Sequence, residues 1–148
     1  MKKYSFRLAR VLRIRKVQEA LRHSELTARE RALLEQQEKL KLFENERDIQ
    51  FDSMTLAQKQ VMQVTRHLAD WKYLGRIARV VEFQGDVVKE FDRRKEAAKA
   101  RYYEAKRRKR ALERLSELHH AEWIKEMIRE EQKIADEAST LRSRGEIQ

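Results

Sequence analysis

The chain has 148 residues, no proline, no cysteine and three glycines; charged residues make up 41 %, aromatics 7 %, and the net charge is +10. That composition excludes a disulfide framework, makes the cytoplasm the default compartment, and leaves little of the turn chemistry a compact domain needs. It favours long helices, whose interiors reject Pro and Gly, and predicts an all-α coiled-coil fold.

Disorder is the competing reading for so charged a chain, but Leu, Ile, Val, Met and Ala recur at helical spacing throughout. No run reaches 18 uncharged apolar residues, so no membrane-spanning helix is expected. The start, Met1 to Arg7, is basic with no apolar stretch behind it, against a secretory signal. A heptad pattern from Phe6 favours mature structure over a transit peptide.

Taken in chain order, helix 1 is predicted from about residue 5 to about 52. Phe6, Val11, Ile14, Val17 and Leu21 share one face at mostly three- and four-residue steps. Leu26, Leu33 and Leu40 mark one heptad line, Ala28, Leu42 and Ile49 a neighbouring one, with polar breaks at Glu35 and Arg47. The cleanest seam is Met54, Ala57, Val61, Val64, Leu68 and Trp71, in steps of 3-4-3-4-3. Ile77, Val81, Val88 and Phe91 continue it, then Ala98, Tyr102, Ala105 and Leu112; the tail carries Ile124, Met127, Ile134, Ala138 and Leu141.

One uninterrupted helix would be about 200 Å long, and a lone stripe must bury itself against something. A helical hairpin is therefore predicted, with its turn within residues 52–66. Asp52-Ser53-Met54-Thr55 is the best polar interruption, with Ser53 as a cap. Helix 2 then runs from about 66 to about 141, with a frayed C-terminus and Gly145 just past the helix end.

The charge is uneven. Residues 1–22 hold eight Lys or Arg and one acid; residues 93–114 hold eleven and three. Folding the hairpin brings the two blocks together, with Arg7, Arg10, Arg13 and Arg15 near Arg107, Arg108, Lys109 and Arg110. Such a concentration of like charge calls for an anionic partner. Nucleic acid is one answer, an acidic protein surface another. The run from Arg93 to Arg101 echoes a bZIP basic region, but it lacks the base-reading asparagine, and no leucine zipper follows.

No chemistry is encoded beyond this. No two glycines are close enough for a phosphate-binding loop. His119 and His120 are adjacent and would point about 100° apart on a helix, which does not make a zinc site. A two-helix rod offers no concave pocket for acid–base work. No enzyme activity, cofactor, metal or small-molecule substrate is expected.

Four ordered patches resemble the FliJ family of flagellar type III export proteins: Phe6 to Arg15, Trp71 to Ile77, Tyr103 to Leu115, and Glu130 to Glu137. The resemblance implies an antiparallel two-helix coiled coil similar to a rotary-ATPase γ stalk. It implies a non-enzymatic stalk and adaptor that binds the hexameric export ATPase, the cytoplasmic domain of the export gate and the export chaperones. Such a protein would be cytoplasmic, held at the inner face of the membrane through its partners. By matching position, the gate contact falls on Phe43, Tyr73, Ile77, Val80 and Gln84; Glu46 and Gln50 stand where aromatics are expected. The alternatives are a nucleic-acid-binding coiled coil and the equivalent stalk of a virulence secretion system.

Overall fold

The computed structural model describes residues 3–60 and 63–145. Two helices, α1 (Ala9–Ala57) and α2 (Val64–Gly145), form an antiparallel hairpin with no strand among the described residues. The chain leaves α1 without any left-handed residue among those described. Instead its last turn tightens. Gln58 N–H still reaches the Met54 carbonyl at 3.0 Å, but Lys59 and Gln60 bond only three residues back, to Leu56 and Ala57, both at 3.2 Å. Such 3₁₀ closure satisfies carbonyls that a helix end would otherwise orphan. On the far side, His67 N–H donates to the Gln63 carbonyl at 3.1 Å, opening α2.

Several boundaries differ from those read in the sequence, each for a local reason. Helix α1 begins at Ala9 rather than near Ser5. Tyr4 and Phe6 place their rings on α2 instead of entering the helix. The stretch Asp52-Ser53-Met54-Thr55 is helical and Ser53 caps nothing. Met54 is buried, and the Thr55 hydroxyl donates to the Phe51 carbonyl at 2.9 Å, so the helix absorbs its polar residues. The seam from Met54 to Trp71 is not one helix face. The chain turns between Ala57 and Val64, and Val64, Leu68 and Trp71 are exposed; Val61 lies outside the described residues. At the other end α2 is helical through Gly145, with Arg142 and Arg144 in its last turn, where cations suit the helix dipole.

The buried seam of α1 passes through Leu12, Arg15, Glu19, Arg22 and Leu26, then Leu33, Leu40, Phe43 and Met54. Val11, Ile14, Val17, Leu21, Leu42 and Ile49 are exposed instead. On α2 the seam runs through Leu74, Ile77, Val81, Gln84, Val88, Phe91, Lys95, Ala98, Tyr102, Ala105, Lys109 and Leu112 in unbroken steps of three and four.

The hairpin divides into two compact units, Leu21–Tyr103 and the chain up to Ala20 together with that from Glu104 on. In the first, Tyr73 meets Glu46, Gln84 meets Gln36 and Tyr102 meets His23, so paired residue numbers total 119 to 125. In the second, Tyr4 meets Ser116, Phe6 meets His119 and Glu19 meets Lys109, totals of 120 to 128. Near-constant totals are the signature of antiparallel pairing.

Candidate partner-binding surfaces

The positions matched to a gate contact divide by side. Ile77 and Gln84 are each 7 % exposed and face α1. Gln84 Nε2 donates to the Gln36 side-chain oxygen at 2.9 Å and to its carbonyl at 3.1 Å, which satisfies a buried amide that would otherwise be costly. Phe43 is half-buried in the α1 seam. These three hold the hairpin together and leave little or no surface for a partner. Tyr73 and Val80 are about two-fifths exposed. The Tyr73 hydroxyl donates to Glu46 Oε1 at 2.6 Å. That hydrogen bond, then desolvation and the carboxylate's charge, hold the phenol above its usual pKa. Glu46, which stands where an aromatic was expected, thus orients the aromatic on the facing helix. The accessible part of this region is Tyr73 and Val80, with exposed Leu42, Ile49 and Phe83 in the same unit.

Two runs of basic side chains come together inside the other unit, while Arg93, Arg94, Lys95, Lys99 and Arg101 of the second block belong to Leu21–Tyr103. Residues 3–20 carry six Lys or Arg and one acid; residues 104–116 carry six and two. The two runs are joined directly: Lys109 Nζ lies 2.6 Å from Glu19 Oε2, with both side chains about one-fifth exposed. Glu104 accepts from Arg107 at 3.1 Å and Arg108 at 3.0 Å, and Arg110 reaches Glu113 at 3.5 Å. Arg15 donates to the Gln18 amide oxygen at 3.0 Å. Among the described residues, Arg7, Arg10 and Arg13 make no ion pair, and all three are exposed. The unit therefore presents an outward excess of cations, strongest along α1. Lys109, by contrast, serves the seam.

A ring cluster beside these cations was not legible from spacing. Tyr4 packs edge-on against His120 at 4.8 Å and tilts toward Trp123 at 5.7 Å, while Phe6 meets His119 at 5.8 Å. The Tyr4 hydroxyl donates to the Ser116 carbonyl at 3.0 Å. The adjacent histidines, which cannot share a metal, thus each receive one ring of the N-terminal segment. The available signal was the i, i+2 pair Tyr4 and Phe6, which face the same way only in non-helical chain. Among the described residues no group of His, Cys, Asp or Glu is placed to hold a metal, and no helix is long and apolar enough to cross a membrane.

Comparison with known proteins agrees with this architecture. A solved structure from Chlamydia trachomatis, CT670, described as a YscO homologue, is 22 % identical, covers 94 % of each chain and superposes with a TM-score of 0.69. No curated protein matches. The family model of the flagellar FliJ protein matches residues 4–147, nearly the whole length. This chain belongs to the FliJ family.

Proposed function

We propose that this protein is a non-enzymatic stalk and adaptor of the flagellar type III protein export apparatus, acting in flagellum assembly and so in motility. The observation that carries the reading is a family match over nearly the whole chain, on a two-helix hairpin that brings two acid-poor basic runs, residues 3–20 and 104–116, into one unit. In this reading the cation-rich unit engages the hexameric export ATPase, and the exposed side of Tyr73 and Val80 engages the cytoplasmic domain of the export gate. Export chaperones are the third class of partner. The protein would sit at the inner face of the membrane through these contacts. An effect on ATP hydrolysis would come from binding some conformations of the ring better than others. The flagellar apparatus is preferred to a virulence system because the matching family model is the flagellar one.

The test is affinity capture of the tagged protein from its own nuclease-treated lysate, with partners identified by mass spectrometry. Recovery of the export ATPase or the gate protein supports the reading. Their absence, with nucleic acid recovered from untreated lysate and lost on nuclease treatment, replaces it with phosphate binding by the basic blocks.

A further inference from the structure

Beyond residue 123 helix α2 has outrun α1. Among the described residues, the last ring contacts that α2 receives from the N-terminal segment are at His119, His120 and Trp123, and residues 128–145 are all exposed. The helix nevertheless continues to Gly145. Its apolar line also changes face. The three-four seam that meets α1 would continue through Glu126, Glu130, Lys133 and Glu137, all polar. A separate heptad instead runs through Ile124, Met127, Ile134, Ala138 and Leu141, one residue out of phase and so about 100° round the helix. Ile134 and Leu141 are 66 % and 69 % exposed. This stripe is phased for a helix other than the α1 of its own chain.

Charge identifies the occupant. Residues 117–137 carry seven acids and three bases, with Glu130 and Glu137 flanking the stripe. A complementary helix needs an exposed apolar line with basic flanks. The start of α1 has both: Val11, Ile14 and Val17 are exposed on its outer side, and residues 3–16 hold six bases, Arg10 and Arg13 among them, and no acid.

We propose that the C-terminal extension of one copy docks on the outer stripe of α1 in a second copy, and reciprocally, giving a two-fold symmetric dimer. The symmetry closes the interface, since each copy offers both surfaces once. Because the copies are inverted, the extension runs parallel to the α1 it covers, with Ile134 beside Ile14. The acidic extension offsets in trans the repulsion of the basic run.

The experiment is sedimentation equilibrium of the full-length purified chain, so its outcome does not depend on export partners. A concentration-dependent dimer is expected at low salt, weakening as added salt shortens the screening length from about 30 Å at 0.01 M to about 3 Å at 1 M. Glu130→Lys with Glu137→Lys should weaken dimerisation about tenfold or more, and mixing that variant with Arg10→Glu/Arg13→Glu should restore it. The cysteine-free chain allows a geometric check. Single-cysteine variants Ile14→Cys and Ile134→Cys, mixed and oxidised, should form the mixed disulfide in preference to either homodimer. A monomer at all concentrations, a dimer indifferent to the charge reversals, or preferential Ile134→Cys homodimers would each overturn the proposal.

Discussion

The two units are built from the same two helices yet held by different means. Among the described residues, the six that are buried, Leu26, Leu33, Met54, Ile77, Gln84 and Ala98, all fall within Leu21–Tyr103. That unit has an aliphatic seam with one satisfied amide pair inside it. The other unit has none of the buried residues. It relies on the Glu19–Lys109 ion pair, the Tyr4 hydrogen bond and a cluster of rings. Apolar burial is worth about 25 cal/mol per Å², whereas a partly exposed ion pair contributes about 1 kcal/mol or less. The first unit should therefore be the more stable, and the second, with its cations and edge-packed rings, the one that opens more readily.

The sharpest way to break the comparison is to remove its aliphatic side. Ile77→Ala should cost about 2–4 kcal/mol by lost burial and the cavity left behind, read as a lower midpoint in urea unfolding followed by circular dichroism. Leu42→Ala in the same unit should stay within about 0.5 kcal/mol, because Leu42 is two-thirds exposed. Equal losses at both positions would mean that the seam is not where the packing energy lies. Ala98 supports the same test from the opposite direction. It is almost fully covered, so Ala98→Leu should cost about 1–3 kcal/mol by overpacking.

A smaller effect compares the units directly. Each contains one tryptophan, Trp71 in the first and Trp123 in the second. Trp71→Phe leaves Trp123 as sole reporter, and Trp123→Phe leaves Trp71. The Trp123 signal should change at lower urea than that of Trp71. Tyr4→Phe, which removes the bond to Ser116, should move the Trp123 transition by about 1 kcal/mol and leave the Trp71 transition in place.

The sequence made the hairpin and most of the α2 seam legible. Ile77, Val81, Val88, Phe91, Ala98, Tyr102, Ala105 and Leu112 were read as one stripe and all lie on it. On α1 the heptad line Leu26, Leu33 and Leu40 also lies in the seam, but toward the N-terminus the apolar pattern marks the wrong face. Val11, Ile14, Val17 and Leu21 are apolar at helical spacing, while the true seam there includes Arg15, Glu19 and Arg22. A single-chain pattern counts such residues as polar and exposed. It cannot show that Glu19 will meet Lys109 across the seam, because that pairing depends on a register set by the turn. The turn was obscured for a related reason. Met54 to Trp71 keeps perfect coiled-coil spacing across it, and the break is marked only by Gln58-Lys59-Gln60. Of the positions matched to a gate contact, Ile77 and Gln84 are buried, because a sequence does not distinguish residues that pack against α1 from residues that would meet a partner.

The next effect is smaller and depends on salt. Glu19→Gln should destabilise the second unit by about 1 kcal/mol or less, visible in the Trp123 transition at low ionic strength and reduced at high. The smallest effect belongs to Tyr73. Its raised pKa means that the folded state holds the phenolic proton more tightly than the unfolded state does. The stabilisation is therefore complete below the ordinary tyrosine range near pH 10 and is lost as pH rises through the folded-state value. Glu46→Gln removes the carboxylate charge but keeps an acceptor, so tyrosinate absorbance of Tyr73, taken as the difference from Tyr73→Phe, should shift to lower pH. An unchanged titration would show that the 2.6 Å contact between the helices is not populated in solution, and that the exposed edge of the first unit is looser than its buried seam.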